Sequence, residues 1–313
     1  MNCIDQISTD NYTIFNGDCV EVIQGLPDHS VDYSIFSPPF SSLYTYSNSP
    51  RDMGNVRNDD EFFEQFGFLV KQLARVMKPG RNVSFHCMLL PTSKERDGYI
   101  GLKDFRGDLI RAFQKEGFIH HSEAVIWKDP VTAMQRTKAL GLLHKTIRTN
   151  ASFSRQGIPD YLVTMRAPGE IAVSDKVRHY RDEDELLLEA DKAGKAADDL
   201  ECNMLPVDEW QKLASPVWMD IDPSDTLQFK SAREHDDERH ICPLQLEVIR
   251  RGIKLWTNPG DVVLTPFLGI GSEVYTAVEM GRKGVGVELK ESYFKQAAKN
   301  IASLSQQTDL FGM

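Results

Sequence analysis

The sequence has no apolar run near the roughly 18 residues that a membrane span requires, and its opening, MNCIDQISTD, has neither the basic nor the apolar part of a signal peptide. A cytoplasmic protein with no membrane partner is expected. Cysteine is scarce and scattered: Cys3, Cys19, Cys87, Cys202 and Cys242 include no close pair. That spacing excludes a zinc knuckle and a CxxC redox centre, so no metal site is expected and the cysteines read as reduced packing groups. A surplus of positive charge is missing too, since 46 acids outweigh 36 Lys and Arg for a net charge of −10. Such a balance excludes coating of nucleic acid through bulk electrostatics.

What is present is a chain of 313 residues, 41% hydrophobic, long enough for a sizeable core. Its first part alternates: strand YTIFN, a helix from Cys19 to Gln24, strand VDYSIF, then EFFEQFGFLVKQLARVM with apolar residues at helical spacing. Lys78-Pro79-Gly80 should stop that helix, and strand NVSFHCMLL, helix DFRGDLIRAFQKEG and strand FIHHSEAVIW follow. From about 128 to 239 the rhythm is lost, and the stretch reads as an inserted module with a charged surface helix. Alternation resumes with helix CPLQLEVIRRGIKLW, strand DVVLTPF, helix SEVYTAVEMG, strand KGVGVEL and helix ESYFKQAAKNIASL. The pattern predicts one α/β domain with a mostly parallel sheet, built from both ends of the chain.

Charge is uneven along this framework. Lys128 to Arg155 carries six Lys or Arg against one acid, whereas Glu170 to His240 carries 20 acids against nine Lys or Arg. A basic segment in an acidic protein is either a solvated face or a surface that meets phosphate.

Two short stretches carry the chemistry. DVVLTPFLGIGSEVYTAVEMGRKGVGVEL has the order strand, glycine loop, helix, strand, acid. Gly269 and Gly271 allow a sharp turn and close ligand approach at a helix N-terminus, and Glu288 stands where a carboxylate can grip a ribose diol. No third glycine is placed for a pyrophosphate, so a nucleoside cofactor without phosphates fits better than a dinucleotide. The second stretch is FSPPFS, Phe36 to Ser41, directly behind VDYSIF. Taken alone it is compatible with a strand-ending turn.

Together the two stretches resemble one family. NPGDVVLTPFLGIGS is similar to the NPGDVVLDPFxGSG motif of S-adenosylmethionine-dependent DNA amino-methyltransferases, and FSPPF matches their [DSN]PP[YFW] motif. FNGDCVEVIQGLPDHSVDYSIFSPPF and HICPLQLEVIRRGIKLW resemble the family's flanking segments, and the catalytic motif precedes the cofactor loop as in its β group. The resemblance implies a Rossmann-like methyltransferase in permuted motif order. It implies a catalytic half over 1–127, a target-recognition insertion over 128–239, a cofactor half over 240–304 and a flexible tail over 305–313.

It also implies roles for residues. The Ser37 hydroxyl and the Pro38 carbonyl would accept hydrogen bonds from a cytosine N4 or adenine N6 amine, held rigid by Pro38 and Pro39, while Phe40 stacks on a base flipped out of duplex DNA. Asp18, Cys19, Phe267, Gly269, Gly271, Ser272 and Glu288 would surround S-adenosylmethionine. Thr265 stands where the family usually has Asp, and Ile270 where it often has Ser. DNA would be met by the basic stretch, through Arg136, Lys138, Lys145 and Arg148. Apart from the resemblance, Tyr44 and Tyr46 read as part of an ordinary surface loop, with a flap over the base as the alternative. His86, His120 and His121, on strand-like segments, read as core or edge residues.

A homodimer would suit a palindromic site, and QTDLF resembles sliding-clamp peptides through Gln307, Leu310 and Phe311. Alternatives are methylation of RNA or a protein amide, or a non-catalytic DNA-binding regulator. The chain has no Pro-Cys pair, which disfavours C5-cytosine methylation.

Overall fold

The computed structural model describes residues 3–41, 51–137, 140–170, 207–228 and 243–311; the side chains of 96, 136, 137, 140, 207, 208 and 305–311 are outside that description. Cys202, Cys242, Tyr44, Tyr46 and most of the acidic stretch fall outside it as well.

Eleven strands and ten α-helices are described. In chain order they are β1 (Asp5–Ser8), β2 (Tyr12–Asn16), α1 (Cys19–Gln24), β3 (Val31–Phe36), α2 (Asp59–Val76), β4 (Met77–Met88), β5 (Leu90–Pro91), α3 (Lys94–Asp97), β6 (Leu102–Lys103), α4 (Phe105–Lys115) and β7 (Ile119–Ile126). There follow α5 (Pro130–Thr137), α6 (His144–Thr149), β8 (Asp160–Arg166), α7 (Val207–Ala214), β9 (Val217–Trp218), α8 (Leu246–Trp256), β10 (Val262–Thr265), α9 (Ser272–Glu279), β11 (Lys283–Glu288) and α10 (Glu291–Phe311).

Nine strands form one sheet in the order β1-β2-β11-β10-β3-β4-β8-β7-β9, and β5 pairs with β6 separately. From β2 to β4 every neighbour is parallel, whereas β4 with β8 and β8 with β7 are antiparallel. Strands from the two ends of the chain therefore interleave: β2 and β3 flank β11 and β10. Every residue of β3 is buried, as a continuous apolar strand covered on both faces should be. Its one acid, Asp32, accepts from Lys78 Nζ at 2.6 Å and from the Val262 N–H at 3.0 Å, tying β4 and β10 to β3.

Helices cover both faces. α2 starts where the Asn58 side chain accepts from the Glu61 N–H at 2.9 Å, an N-cap, and its apolar stripe buries Phe62, Phe66, Leu69, Val70, Leu73 and Val76. At about 1.5–3 kcal/mol for each buried apolar side chain, this stripe outweighs any propensity term in holding α2 on the sheet. Val22 and Ile23 of α1 and Leu109 and Phe113 of α4 join the same cluster. On the opposite face Val248, Ile249 and Ile253 of α8 pack against Tyr33 and Ile35, and Phe294, Ala297 and Ile301 of α10 pack with Ile14 and Val274.

Three features differ from expectation. β8, from inside 128–239, lies between β4 and β7 in the central sheet, with Val163 and Thr164 fully buried, so the boundary at 127 does not part the sheet. The reason is long-range pairing, which local rhythm does not encode. α10 runs on through Phe311, where a flexible tail from 305 is expected; no Gly or Pro occurs between Glu291 and Phe311 to interrupt it. One further strand, β1, precedes the predicted first strand YTIFN and pairs with it as an antiparallel hairpin.

Candidate active site

β10 and β3 are neighbours, with Leu264 opposite Ser34, and the Ser34 hydroxyl donates to the Leu264 carbonyl 2.9 Å away across 230 residues of sequence. Because the strands are parallel, FSPPFS and TPFLGIGS leave the sheet from the same carboxyl edge, where open α/β sheets bind ligands. The Phe36 and Phe267 rings meet at 5.7 Å between the two loops.

FSPPFS is anchored at both ends. The Ser37 Oγ lies 3.2 Å from His86 Nδ1, and the Ser41 hydroxyl donates to Asp59 Oδ1 at 2.6 Å. Burial would raise the Asp59 pKa, but the hydrogen bonds from Lys103 and Ser41 hold it below the usual carboxylate range. Pro38 is buried, Ser37, Pro39 and Phe40 are half-buried, and Phe40 meets Phe105 edge-on at 6.2 Å. Ser41 itself takes φ +50, so the loop turns sharply after the aromatic residue.

The second loop is built on glycine and a carboxylate. Gly269 (φ +54) and Gly271 (φ +98) both lie in the left-handed region. Glu288, at the end of β11, accepts from the Gly269 N–H through Oε2 at 2.7 Å and from the Lys290 N–H through Oε1 at 2.8 Å. Burial pushes its pKa up to about 7, with those two N–H groups pulling it down and Asp52 pushing it up. Just beyond the glycines, Glu273 is buried in the first turn of α9 and is pushed up to about 8 by burial.

The GD turn closes the other side. The Gly17 N–H donates to the Glu288 carbonyl at 2.9 Å, and Asp18 caps α1, its Oδ1 accepting from the Val20 and Glu21 N–H groups at 2.9 and 3.0 Å. Burial pushes the neighbouring Cys19 thiol well above its ordinary range. A cleft of about 310 Å³, lined by Cys3, Gly17, Asp18, Glu21, Arg51 and Leu289, opens beside the turn. Among the buried polar atoms with no hydrogen-bond partner in the described residues are Asp52 Oδ2, Thr265 Oγ1 and Ser272 Oγ. A Cβ on Gly269 would stand in open space, whereas one on Gly271 would meet Ala297 at 3.2 Å. The loop is therefore open on its Gly269 side and packed on its Gly271 side. Ile270 is buried in contact with Tyr293, which accounts for an apolar side chain at a position where a hydroxyl is common in the resembling family.

The structure brings Ser37 to Phe40 together with Asp18, Cys19, Phe267, Gly269, Gly271, Ser272 and Glu288. Lys145 and Arg148 are exposed on α6, the Arg136 side chain and all of Lys138 lie outside the described residues, and Lys128 pairs with Asp160 at 2.6 Å. His120 and His121 are exposed on β7. Two residues went unrecognised in the sequence: Asp52, which has no local motif, and His86, read as a core or edge residue but in contact with Ser37. The signal for His86 lies in pairing, since β3 and β4 place Phe36 opposite Phe85.

A family model described as DNA methylase matches residues 31–299, which includes both loops and everything between them. Type II methyltransferase M.BglII of Bacillus subtilis is 24% identical over 303 residues, 95% of this chain and 71% of that protein. DNA adenine methyltransferase YhdJ of Escherichia coli K12 is 22% identical over 293 residues, 92% of this chain and 82% of that protein. Among solved structures, a DNA modification methylase from Thermus thermophilus complexed with S-adenosyl-L-methionine superposes with a TM-score of 0.62 at 20% identity, covering 94% of this chain and 95% of that one. The cytosine-N4-specific PvuII DNA methyltransferase superposes with a TM-score of 0.62 at 16% identity, covering 97% and 94%. At those identities the superpositions speak for the fold, and the family match speaks for membership. The chain belongs to the DNA methylase family of N6/N4 amino-methyltransferases, and is a site-specific DNA methyltransferase that uses S-adenosylmethionine.

Proposed function

We propose that this chain methylates an exocyclic amine, cytosine N4 or adenine N6, of a base flipped out of duplex DNA, with FSPPFS as the catalytic loop. The adjacency of β3 and β10 carries this reading, because it sets Ser37 and Phe40 beside the glycine loop and Glu288. The residues present fit the cofactor. Glu288 and Asp18 offer carboxylate oxygens for hydroxyl and amine donors, the unpartnered Ser272 hydroxyl stands at the N-terminus of α9, and the open side of Gly269 leaves room for close approach. When bound, S-adenosylmethionine supplies an electrophilic methyl group on a sulfonium.

The protein's task is then to make a poor nucleophile attack. The amine lone pair is delocalised into the ring, and acceptors on its two N–H groups draw the nitrogen toward tetrahedral geometry. The Ser37 hydroxyl and the Pro38 carbonyl are such acceptors, and two prolines remove the freedom that would let them drift. Phe40 offers a face for the flipped base, offsetting part of the few kcal/mol that flipping costs.

Residues 128–239 supply the target-recognition surface in this reading. Lys145 and Arg148 are exposed within that range, as are Ile147 and Phe153, a mixture of cations and apolar groups suited to nucleic acid. Neutralising Arg136, Lys138 and Lys145 together should lower the slope of log K against log salt by about 0.9 for each phosphate that no longer meets a cation. An unchanged slope would place the DNA-binding surface elsewhere. A homodimer and a sliding clamp docked through Gln307, Leu310 and Phe311 are the further partners proposed; sedimentation, and clamp pull-down with and without the last seven residues, check them.

The central test is chemical. DNA methylated by the purified enzyme is digested to nucleosides and weighed: N4-methylcytosine or N6-methyladenine is expected, and 5-methylcytosine alone or no modification would refute the proposal.

A further inference from the structure

His86 and Asp160 play no part in polarising the amine, yet they form a line of contacts that starts at the catalytic serine. Ser37 Oγ is 3.2 Å from His86 Nδ1; His86 Nε2 is 3.1 Å from Asp160 Oδ2, at ion-pair distance rather than as an aligned hydrogen bond. Asp160 Oδ2 also meets Lys128 Nζ at 2.6 Å. The three residues come from three adjacent strands. Ser37 follows β3, His86 is on β4 and Asp160 opens β8, where it stands opposite Met88. Asp160 is 3% exposed, and burial would raise its pKa, but His86 and Lys128 hold it below the usual carboxylate range. A buried carboxylate facing one ring nitrogen favours the hydrogen on that nitrogen. With Nε2 carrying the hydrogen, Nδ1 is an acceptor, and the contact to Ser37 is one in which the hydroxyl donates. The oxygen of Ser37 is then left with its lone pairs free for the target amine.

We propose that Ser37, His86 and Asp160 form a proton-release chain for methyl transfer, resting on the assignment of Ser37 to the target amine. As the methyl group is transferred, positive charge develops on the base amine, which then holds one proton too many, and the proton leaves in the same step. One of its N–H bonds breaks and the proton passes to Ser37 Oγ, while the hydroxyl's own proton passes to His86 Nδ1. The serine is regenerated, the base becomes a neutral methylamine, and the charge rests on an imidazolium against ionised Asp160. His86 later returns its proton to solvent. His86 is thus a proton acceptor acting through Ser37, and Asp160 is a positioning residue that fixes its tautomer and stabilises its charged form.

The experiment measures single-turnover methyl transfer in a preformed complex with S-adenosylmethionine and DNA, alongside cofactor affinity. His86→Ala should slow the step by about 100-fold while cofactor affinity changes less than about twofold, and imidazole in solution should restore part of the rate. The double variant Ser37→Ala/His86→Ala should be no slower than Ser37→Ala, because members of one chain do not add. Multiplying losses in the double variant, or an undiminished rate in His86→Ala, would overturn the chain. If Ser37→Ala is itself as fast as the unchanged enzyme, the assignment of the catalytic loop fails first and is recognised as such. Should His86→Ala lose cofactor binding through misfolding, His86→Gln carries the same expectation, since its amide can accept from Ser37 but cannot take the proton; a Gln variant at full rate refutes the proposal.

Discussion

The two loops at the carboxyl edge of the sheet reach order by opposite means. FSPPFS contains no glycine: two prolines remove backbone freedom covalently, and side chains at either end, Ser37 to His86 and Ser41 to Asp59, tie it down. FLGIGS has two glycines at positive φ and would be loose in isolation, but Glu288 accepts from the Gly269 N–H and Asn300 Nδ2 donates to the Ile270 carbonyl at 2.9 Å. One loop carries its stiffness within itself and the other borrows it from β11 and α10. The difference suits the roles proposed for the two loops. A loop that polarises an amine needs acceptors that do not move, whereas a loop that wraps a cofactor needs absent side chains more than rigid ones.

The comparison is tested hardest where each loop is cut off from its partner. Ser37→Ala should lower turnover by about 100- to 1000-fold, the range for removing one preorganised hydrogen-bonding group, with cofactor affinity nearly intact. Phe40→Ala should cost about 10- to 100-fold in turnover if base stacking is worth about 1–3 kcal/mol. Rapid-quench rates and calorimetric cofactor binding, measured on the same preparations, separate the two loops. A parallel fall in cofactor affinity would mean that FSPPFS is a structural prop for its neighbour.

Glu288→Gln should act the other way, weakening cofactor binding by about 10- to 100-fold through one lost charged hydrogen bond of about 1.5–3 kcal/mol. The pH dependence is specific. With its pKa raised by burial to about 7, Glu288 is protonated below that pH, and the ionised acceptor that a ribose hydroxyl needs appears only as pH rises through 7. Cofactor affinity should therefore improve from pH 6 to pH 8 in the unchanged protein and vary less in the Gln variant. The linkage to folding has the reverse sign. A carboxyl whose folded pKa is raised contributes stability at low pH that is lost as pH rises through 7, so cofactor binding and cofactor-free stability should move in opposite directions.

Both loops were legible in the sequence because Pro and Gly report backbone geometry locally, whatever surrounds them. The strands that carry the loops were legible for a related reason: VDYSIF and DVVLTPF are short apolar runs closed by turn residues. β8 was not. DYLVTMR sits between a basic and an acidic stretch where strand–helix alternation is not legible, and what makes it a core strand is pairing on both sides, with β4 at Val83 and Met165 and with β7 at Ala124 and Leu162. His86 was missed for the same cause. Its neighbours Phe85 and Cys87 are fully buried, so the local pattern announces only a strand, and its contact with Ser37 exists because β3 and β4 lie side by side. Residues whose role is fixed by strand adjacency leave no mark in a single sequence, whereas residues whose role is fixed by φ do.

The smallest expected effects lie inside the glycine loop itself, where its two glycines can be told apart. Gly271→Ala places a Cβ 3.2 Å from Ala297 Cα and Cβ and 3.3 Å from Ile301 Cδ1, at φ +98. Strain of about 1–2 kcal/mol for the backbone and about 1–3 kcal/mol for overpacking should lower the melting temperature by several degrees in a chain of this size. Gly269→Ala meets no atom within 4 Å, so only the backbone strain at φ +54 remains and the melting temperature should fall less. If the open side of the loop meets the cofactor, as proposed, its methyl group intrudes there, so cofactor affinity should suffer more from Gly269→Ala than from Gly271→Ala. Thermal unfolding and calorimetric titration of the two variants should thus rank them in opposite orders. The same order in both measurements would mean that the open side of the loop is not the side that meets the cofactor.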